Sequence, residues 1–207
     1  MELLTTLGRT LGFSFAAGLN LYATVAILGL ASRFGWVHLP PQFHVFDNNW
    51  VIGIAIACYV VEFVADKVPW VDTAWDAVHT VVRPLGGAFI AVTTLGDASP
   101  GAQAAAALLG GGVAAASHLT KASTRVAANT SPEPFSNWGL SLLEDVLVLA
   151  LSALTLALPV VALVVAAGLL GLIALFSMAI VRAFRRRFGR AQRGGGGGQL
   201  PTVNASV

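Results

Sequence analysis

Six long apolar segments, separated by short polar or proline-containing stretches, constrain this sequence more than any other feature. A helix that crosses a bilayer needs about 20 mostly apolar residues, within a range of about 17 to 25. Of the 207 residues, 56% are hydrophobic and 11% are charged, so there are too few charges to cover a water-soluble fold. The single cysteine, Cys58, excludes a disulfide-stabilised module. The sequence predicts an all-α, polytopic membrane helix bundle of about six spans: Thr10 to Ser32, Trp50 to Asp66, Pro69 to Leu95, Ala102 to Ala128, Trp138 to Leu158 and Val160 to Phe184.

The predicted membrane domain covers residues 1–187, and residues 188–207 are expected to form a basic, glycine-rich, flexible tail in the cytoplasm. Similar stretches, Ala16 to Leu21 and Ala114 to Leu119, favour a repeat of residues 1–100 in residues 101–187. A second copy with three spans would insert upside down, and inverted three-helix repeats are a known construction of transporters. Chance similarity between alanine-rich helices is the alternative.

Basic residues set the expected orientation of the chain. Six of the twelve Lys and Arg residues lie between Arg182 and Arg193. This cluster is expected to bind anionic lipid headgroups rather than nucleic acid, because it follows directly on an apolar span. With six spans and both termini in the cytoplasm of a bacterial cell, only Arg33 of the loop residues lies outside, as the positive-inside rule requires. The residues then placed at cytoplasmic ends are Arg9, Lys67, Lys121, Arg125 and the six tail arginines.

Ionisable side chains are costly inside a bilayer and therefore mark candidate functional positions. Glu62 and Asp66 end the second span, and four further polar residues follow at helical spacings of 4, 3 and 4 on one face of the third. Only three residues separate the two helices, so the helices must run antiparallel and their carboxylates must converge. Carboxylates at this density favour a shared proton or a bound cation. The four residues on the third helix are Asp72, Asp76, His79 and Arg83.

The fourth span carries a basic counterpart to this acidic hairpin. His118, Lys121 and Arg125 share one helix face, and Glu144 and Asp145 begin the fifth span from the same side. These residues either neutralise one another or bind a solute, and transport sites often do both. Small residues near Asn20 and in Gly110 to Gly112 indicate close helix packing. Alternatively, the glycines unwind the helices so that Asn20 faces the site.

Several stretches resemble a bacterial membrane family, the domain of unknown function DUF4126. The resemblance spans about residues 8 to 180. It implies a multi-span inner-membrane protein and implies no particular activity. The stretches that carry it are Phe15 to Thr24, Glu62 to Asp76, Arg83 to Gly87 and Ser131 to Phe135.

The leading hypothesis is a small transporter or channel for a polar or charged solute. Its pathway is predicted to contain Glu62, Asp76, His79, Arg83, Asn20, His118 and Lys121, with Asp66, Asp72, Arg125, Glu144 and Asp145 as secondary residues. An enzyme that holds Mg²⁺ against a lipid phosphate through Asp72 and Asp76 is the alternative, followed by a non-catalytic partner subunit. No motif for a nucleotide, zinc or other cofactor is present, and self-association is compatible with the small-residue helix faces.

Overall fold

The protein is built from helices, as a computed structural model shows for residues 1–129 and 134–194. No strand is found in these two ranges. A short 3-10 helix, Pro41–Phe46, lies between the second and third α-helices. The α-helices are α1 (Glu2–Leu19), α2 (Leu21–Phe34), α3 (Asn49–Ala65), α4 (Pro69–Leu95), α5 (Pro100–Asn129), α6 (Pro134–Ala157) and α7 (Pro159–Gly194).

Local sequence explains where these helices begin and end. The last four helices each begin on a proline, whose fixed φ suits a first turn and whose missing N–H is unused there. α3 is capped by Asn48, whose side chain accepts hydrogen bonds from two backbone amides of the first turn. α2 ends at Gly35, which adopts a left-handed backbone conformation with φ of 59°.

The first predicted span, Thr10 to Ser32, is wrong as a single helix. Asn20 has an extended backbone, with φ of −151° and ψ of 101°, and it ends α1 while it begins α2. Its side-chain Oδ1 accepts a 2.9 Å hydrogen bond from the backbone N–H of Ala23, which caps α2. The break therefore lies at a residue whose side chain caps the new helix.

α1 and α2 form a hairpin with its tip at Asn20. Arg9 donates a 3.4 Å hydrogen bond to the carbonyl of His38, and the rings of Phe13 and Phe43 lie 6.2 Å apart. In one straight helix, positions 9 and 38 would be about 44 Å apart at 1.5 Å per residue. The start of α1 and the end of α2 consequently lie close together. The sequence prediction, in contrast, placed Arg9 and Arg33 on opposite sides of the membrane.

Close packing of α1, α4 and α5 explains most of the glycine clusters. A Cβ atom at Gly18 would collide with Ser117 of α5, and one at Gly110 would collide with Ala91 of α4. A Cβ at Gly87 would meet Ala114 of α5. α4 and α5 remain helical through these glycines, so the predicted local unwinding there is wrong and the packing interpretation is confirmed.

Apolar side chains cover the outside of the bundle, and its interior contains both an apolar core and many polar side chains. Trp70, Leu108 and Val164 are among the many large apolar residues that are exposed, while Glu62 and Arg83 are fully buried. Among the described residues, three helices are long and apolar enough to cross a membrane: Trp70–Leu95, Trp138–Ala157 and Pro159–Arg182. Two shorter apolar helices are Leu21–Phe34 and Asn49–Ala65.

The chain divides into two compact units. The first, Met1–Leu170, contains every candidate site residue. The second begins at Gly171, and its described part is the remainder of α7. Part of the predicted tail, residues 195–207, lies outside the described residues, as does the stretch 131–133 of the Ser131 to Phe135 motif.

Candidate functional site

Arg83 of α4 lies at the centre of a buried cluster of charges. Its Nη2 donates a 2.9 Å hydrogen bond to Glu62 Oε1, and its Nη1 lies 3.4 Å from Asp76 Oδ1. Nη1 also donates to His118 Nδ1 at 2.6 Å and to the carbonyl of Gly18 at 3.4 Å. One guanidinium therefore connects α3, α4, α5 and the end of α1.

Lys121 of α5 forms a second point of convergence. Its Nζ lies 3.5 Å from Glu62 Oε1, 3.1 Å from Asp66 Oδ2 and 3.5 Å from Glu144 Oε2. It also donates a 3.3 Å hydrogen bond to the carbonyl of Leu19. The carbonyls of Gly18 and Leu19 are left without helical partners by the break at Asn20, and a cation is favourable at the negative end of a helix dipole. The hairpin tip and the charge cluster thus stabilise each other.

Arg125, one turn further along α5, lies close to three acids of the cluster. It contacts Glu144 Oε2 at 2.5 Å, Asp66 Oδ2 at 3.0 Å and Asp72 Oδ1 at 3.8 Å. The expected convergence of the α3 and α4 carboxylates is therefore present. So is the expected pairing of Lys121 and Arg125 with Glu144 and with acids of the hairpin.

Hydrogen-bond geometry defines the protonation of the buried His118. A guanidinium only donates, so His118 Nδ1 must accept from Arg83 and the ring proton must lie on Nε2. Nε2 is 3.2 Å from the hydroxyl of Thr80, which itself donates to the carbonyl of Asp76 at 3.0 Å. Protonation of Nδ1 would place a second donor against Arg83, so His118 is held neutral in this arrangement.

His79 packs against aromatic side chains beside the charged cluster. Its Nδ1 donates to the carbonyl of Trp75 at 2.7 Å, and its Nε2 lies 3.0 Å from the hydroxyl of Tyr22. The Trp75 ring stacks on His79 with centroids 4.7 Å apart. Sequence analysis did not include Tyr22, Trp75 or Thr80 among the site residues. For Thr80 the signal was available, since it follows Asp76 by four residues and precedes Arg83 by three.

Asn20 lies at the site, and its side chain forms a hydrogen bond with the backbone of α2. Its side chain caps α2, and the residue is 2% exposed. The helix break that it allows brings the carbonyls of Gly18 and Leu19 to the cations, a contribution that the sequence did not indicate.

Asp145 differs from the other acids of the cluster. It lies on α6 next to Glu144 and is 9% exposed. Its Oδ2 is buried without a hydrogen-bond donor, and no ion pair to it is found among the described side chains. Lys67, between α3 and α4, donates instead to the carbonyl of Phe63 at 2.8 Å and to Ser141 at 3.4 Å. Partial burial lowers the pKa of the Lys67 ammonium.

Buried acidic side chains outnumber buried Lys and Arg side chains in the cluster. The described residues bury six carboxylates but only three Lys or Arg side chains, and His118 is held neutral. No group of three or more His, Cys, Asp and Glu side chains within the described ranges is arranged to hold a metal ion. The acids are Glu62, Asp66, Asp72, Asp76, Glu144 and Asp145, and the cations are Arg83, Lys121 and Arg125.

Comparison with known proteins gives one result. The family model described as Domain of unknown function (DUF4126) matches residues 7–179, which is most of the chain. No curated protein and no solved structure gave a significant match.

Proposed function

The chain belongs to the family described as Domain of unknown function (DUF4126), and we propose that this member is a transporter or channel for a polar or charged solute. The observation that carries the proposal is the charge cluster at the tip of a helix hairpin, enclosed by apolar outer surfaces. Such groups are costly in a membrane and persist where they line a path for ions or solutes. Glu62 and Asp76, at Arg83, are the proposed solute or cation ligands.

The broken helix supports the same function. Non-helical backbone at membrane depth is tolerated where it is buried in protein or lines a polar cavity. Transporters use discontinuous helices to present backbone groups to their substrates. Here the carbonyls of Gly18 and Leu19 end α1 beside Arg83 and Lys121. A solute that displaces either cation would gain access to these carbonyls.

We assign the protein to the bacterial inner membrane, with α1 and α2 as a re-entrant hairpin and α3 to α7 as five crossings. α3 leads away from the hairpin's open end, so Lys67 lies at the opposite end from Arg9 and Arg33. The positive-inside rule then favours Lys67, Lys121 and Arg125 on the cytoplasmic side. The arginine-rich tail is proposed to meet anionic lipid headgroups at the cytoplasmic surface, as the positive-inside rule favours for a segment this basic. The N-terminus lies on the outer side in this topology, in place of the two cytoplasmic termini expected from sequence.

The two alternative functions have less support from the geometry. For the Mg²⁺ enzyme, Asp76 lies by Arg83 and Asp72 by Arg125, so the two aspartates pair with separate guanidinium groups instead of facing one metal position. For the partner subunit, the small residues Gly18, Gly87 and Gly110 pack inside the bundle and do not form a free outer face.

Solute flux in proteoliposomes tests the proposal. Vesicles are exposed to gradients of inorganic ions, amines and amino acids, and swelling is followed by light scattering. Protein-dependent flux of at least one solute is expected, with loss of that flux in Glu62→Gln and Asp76→Asn. Asp97→Asn, which removes an exposed acid outside the cluster, is the matched control. Undiminished flux in the first two variants, with monodisperse protein in all samples, would contradict the proposal.

A further inference from the structure

The buried charges require positive charge that the side chains do not supply. Six carboxylates face three buried Lys or Arg side chains in the described part of the chain, and the partly buried Lys67 adds one cation at the edge. An uncompensated charge is strongly disfavoured in a low-dielectric interior, and a carboxylate in that position takes up a proton instead. At least one acid of the cluster is therefore expected to be protonated or to bind a cation.

Asp145 is the acid with the least compensation. Glu62, Asp66, Asp72, Asp76 and Glu144 each lie within 4 Å of Arg83, Lys121 or Arg125. Asp145 has no such partner among the described residues, and its Oδ2 is buried without a donor. The charged and titratable groups around it are Tyr59, Glu62 and Asp66 of α3, Lys67, Lys121 of α5 and the adjacent Glu144. Three of these groups are acids, and their repulsion adds to the effect of burial.

A proton fits this position better than a metal ion. The described part of the chain has no arrangement of three metal-ligating side chains. The carboxylates nearest Asp145 already accept hydrogen bonds from Lys121 and Arg125, which would repel a divalent cation. The 9% of Asp145 that remains exposed allows exchange of a proton with water at the Lys67 end.

We infer that Asp145 is a proton-binding site, neutral in the arrangement described, and that the proton it holds is the ion coupled to solute movement. The coupling rests on the proposed function, whereas proton binding stands on the structure alone. On release, the O–H bond of the carboxyl breaks, the proton passes to water and the electron pair stays on the carboxylate. The new charge attracts Lys121, which bridges Glu62, Asp66 and Glu144 and also holds the carbonyl of Leu19. Loss of the proton thereby loosens the hairpin tip.

Infrared spectroscopy of the full chain in detergent tests the inference without any solute. The carbonyl stretch of a protonated carboxyl is separate from the carboxylate bands and shifts in D₂O. The wild-type protein should show this band at neutral pH. Asp145→Asn should lose it, and Asp97→Asn should keep it. An unchanged band in Asp145→Asn, or its absence from the wild-type spectrum, would overturn the inference.

Folding of the variant is also informative. Asparagine is a neutral analogue of a protonated aspartate, so Asp145→Asn should elute as monodisperse protein. An unfolded variant would show that the ionised form is required and would also overturn the inference. A proton band without solute flux would refute only the proposed function, and solute flux with an ionised Asp145 would refute only the proton site.

Discussion

At the scale of single residues, the arrangement of Arg83 predicts that the cluster is sensitive to substitution. A buried ion pair is weak evidence for net stability, because desolvation of both partners offsets their attraction. Loss of one partner has a large effect, however, since the other charge is then left buried. Arg83 faces Glu62 and Asp76 together, and both Arg83 and Glu62 are fully buried.

We expect Arg83→Met to lower the free energy of unfolding by about 3 to 5 kcal/mol. Adding Glu62→Gln to this variant should restore part of the loss, because it removes one of the two carboxylates that Arg83 compensates. Thermal or denaturant unfolding in detergent measures both effects.

Arg33→Met is the matched control for this prediction. Arg33 pairs with Asp47 at 2.8 Å, but both side chains are about a quarter to a third exposed. An exposed pair contributes about 1 kcal/mol or less. Equal losses for Arg33→Met and Arg83→Met would contradict the assigned role of the buried cluster.

At the scale of the helices, close contact of α1, α4 and α5 positions the charges. Gly110 lies against Ala91 and the backbone of Gly87, whereas nothing lies within 4 Å of a Cβ built at Gly112 on the same helix. Ser14 of α1 reinforces the contact by donating a 3.1 Å hydrogen bond to the carbonyl of Gly87. The separation of these helices determines whether Arg83 and Lys121 can reach the tip of the hairpin.

Gly110→Ala should therefore destabilise the protein by about 1 to 3 kcal/mol through overpacking. Gly112→Ala should be neutral, or stabilising by about 0.5 to 1 kcal/mol, because alanine favours a helix over glycine. Unfolding of the two variants under the same conditions provides the comparison. A stabilising Gly110→Ala would show that the helices are not in close contact.

The sequence predicts those features of the helices that depend on local pattern. Spacing of Asp72, Asp76, His79 and Arg83 identified one face of α4, and the same argument identified the basic face of α5. The hairpin of α1 and α2 could not be predicted in this way, because Asn20 sits in an apolar run with the length of one span. The alternative conformation is stabilised by Arg83 and Lys121, which are more than 60 residues away in sequence. The sequence did not distinguish Asp145 from the other acids, because the difference lies in their ion-pair partners.

At the scale of the whole molecule, the proposed topology requires the hairpin of α1 and α2 to enter the membrane and to return to the side from which it came. The contact of Arg9 with the carbonyl of His38 places both ends of the hairpin together, and α3 separates them from Lys67. One continuous first span would instead place the N-terminus and Lys67 on the same side. It would also remove the helix ends that Arg83 and Lys121 bind.

Cysteine labelling with a membrane-impermeant maleimide distinguishes these topologies. Single cysteines replace Leu3, Trp36 and Val68, which are all exposed, in a Cys58→Ser background. Cysteines at positions 3 and 36 should react from the outer side of intact spheroplasts, and the cysteine at 68 should react only in inverted vesicles. If positions 3 and 68 react from the same side and position 36 from the other, the re-entrant hairpin and the site built around its tip are contradicted.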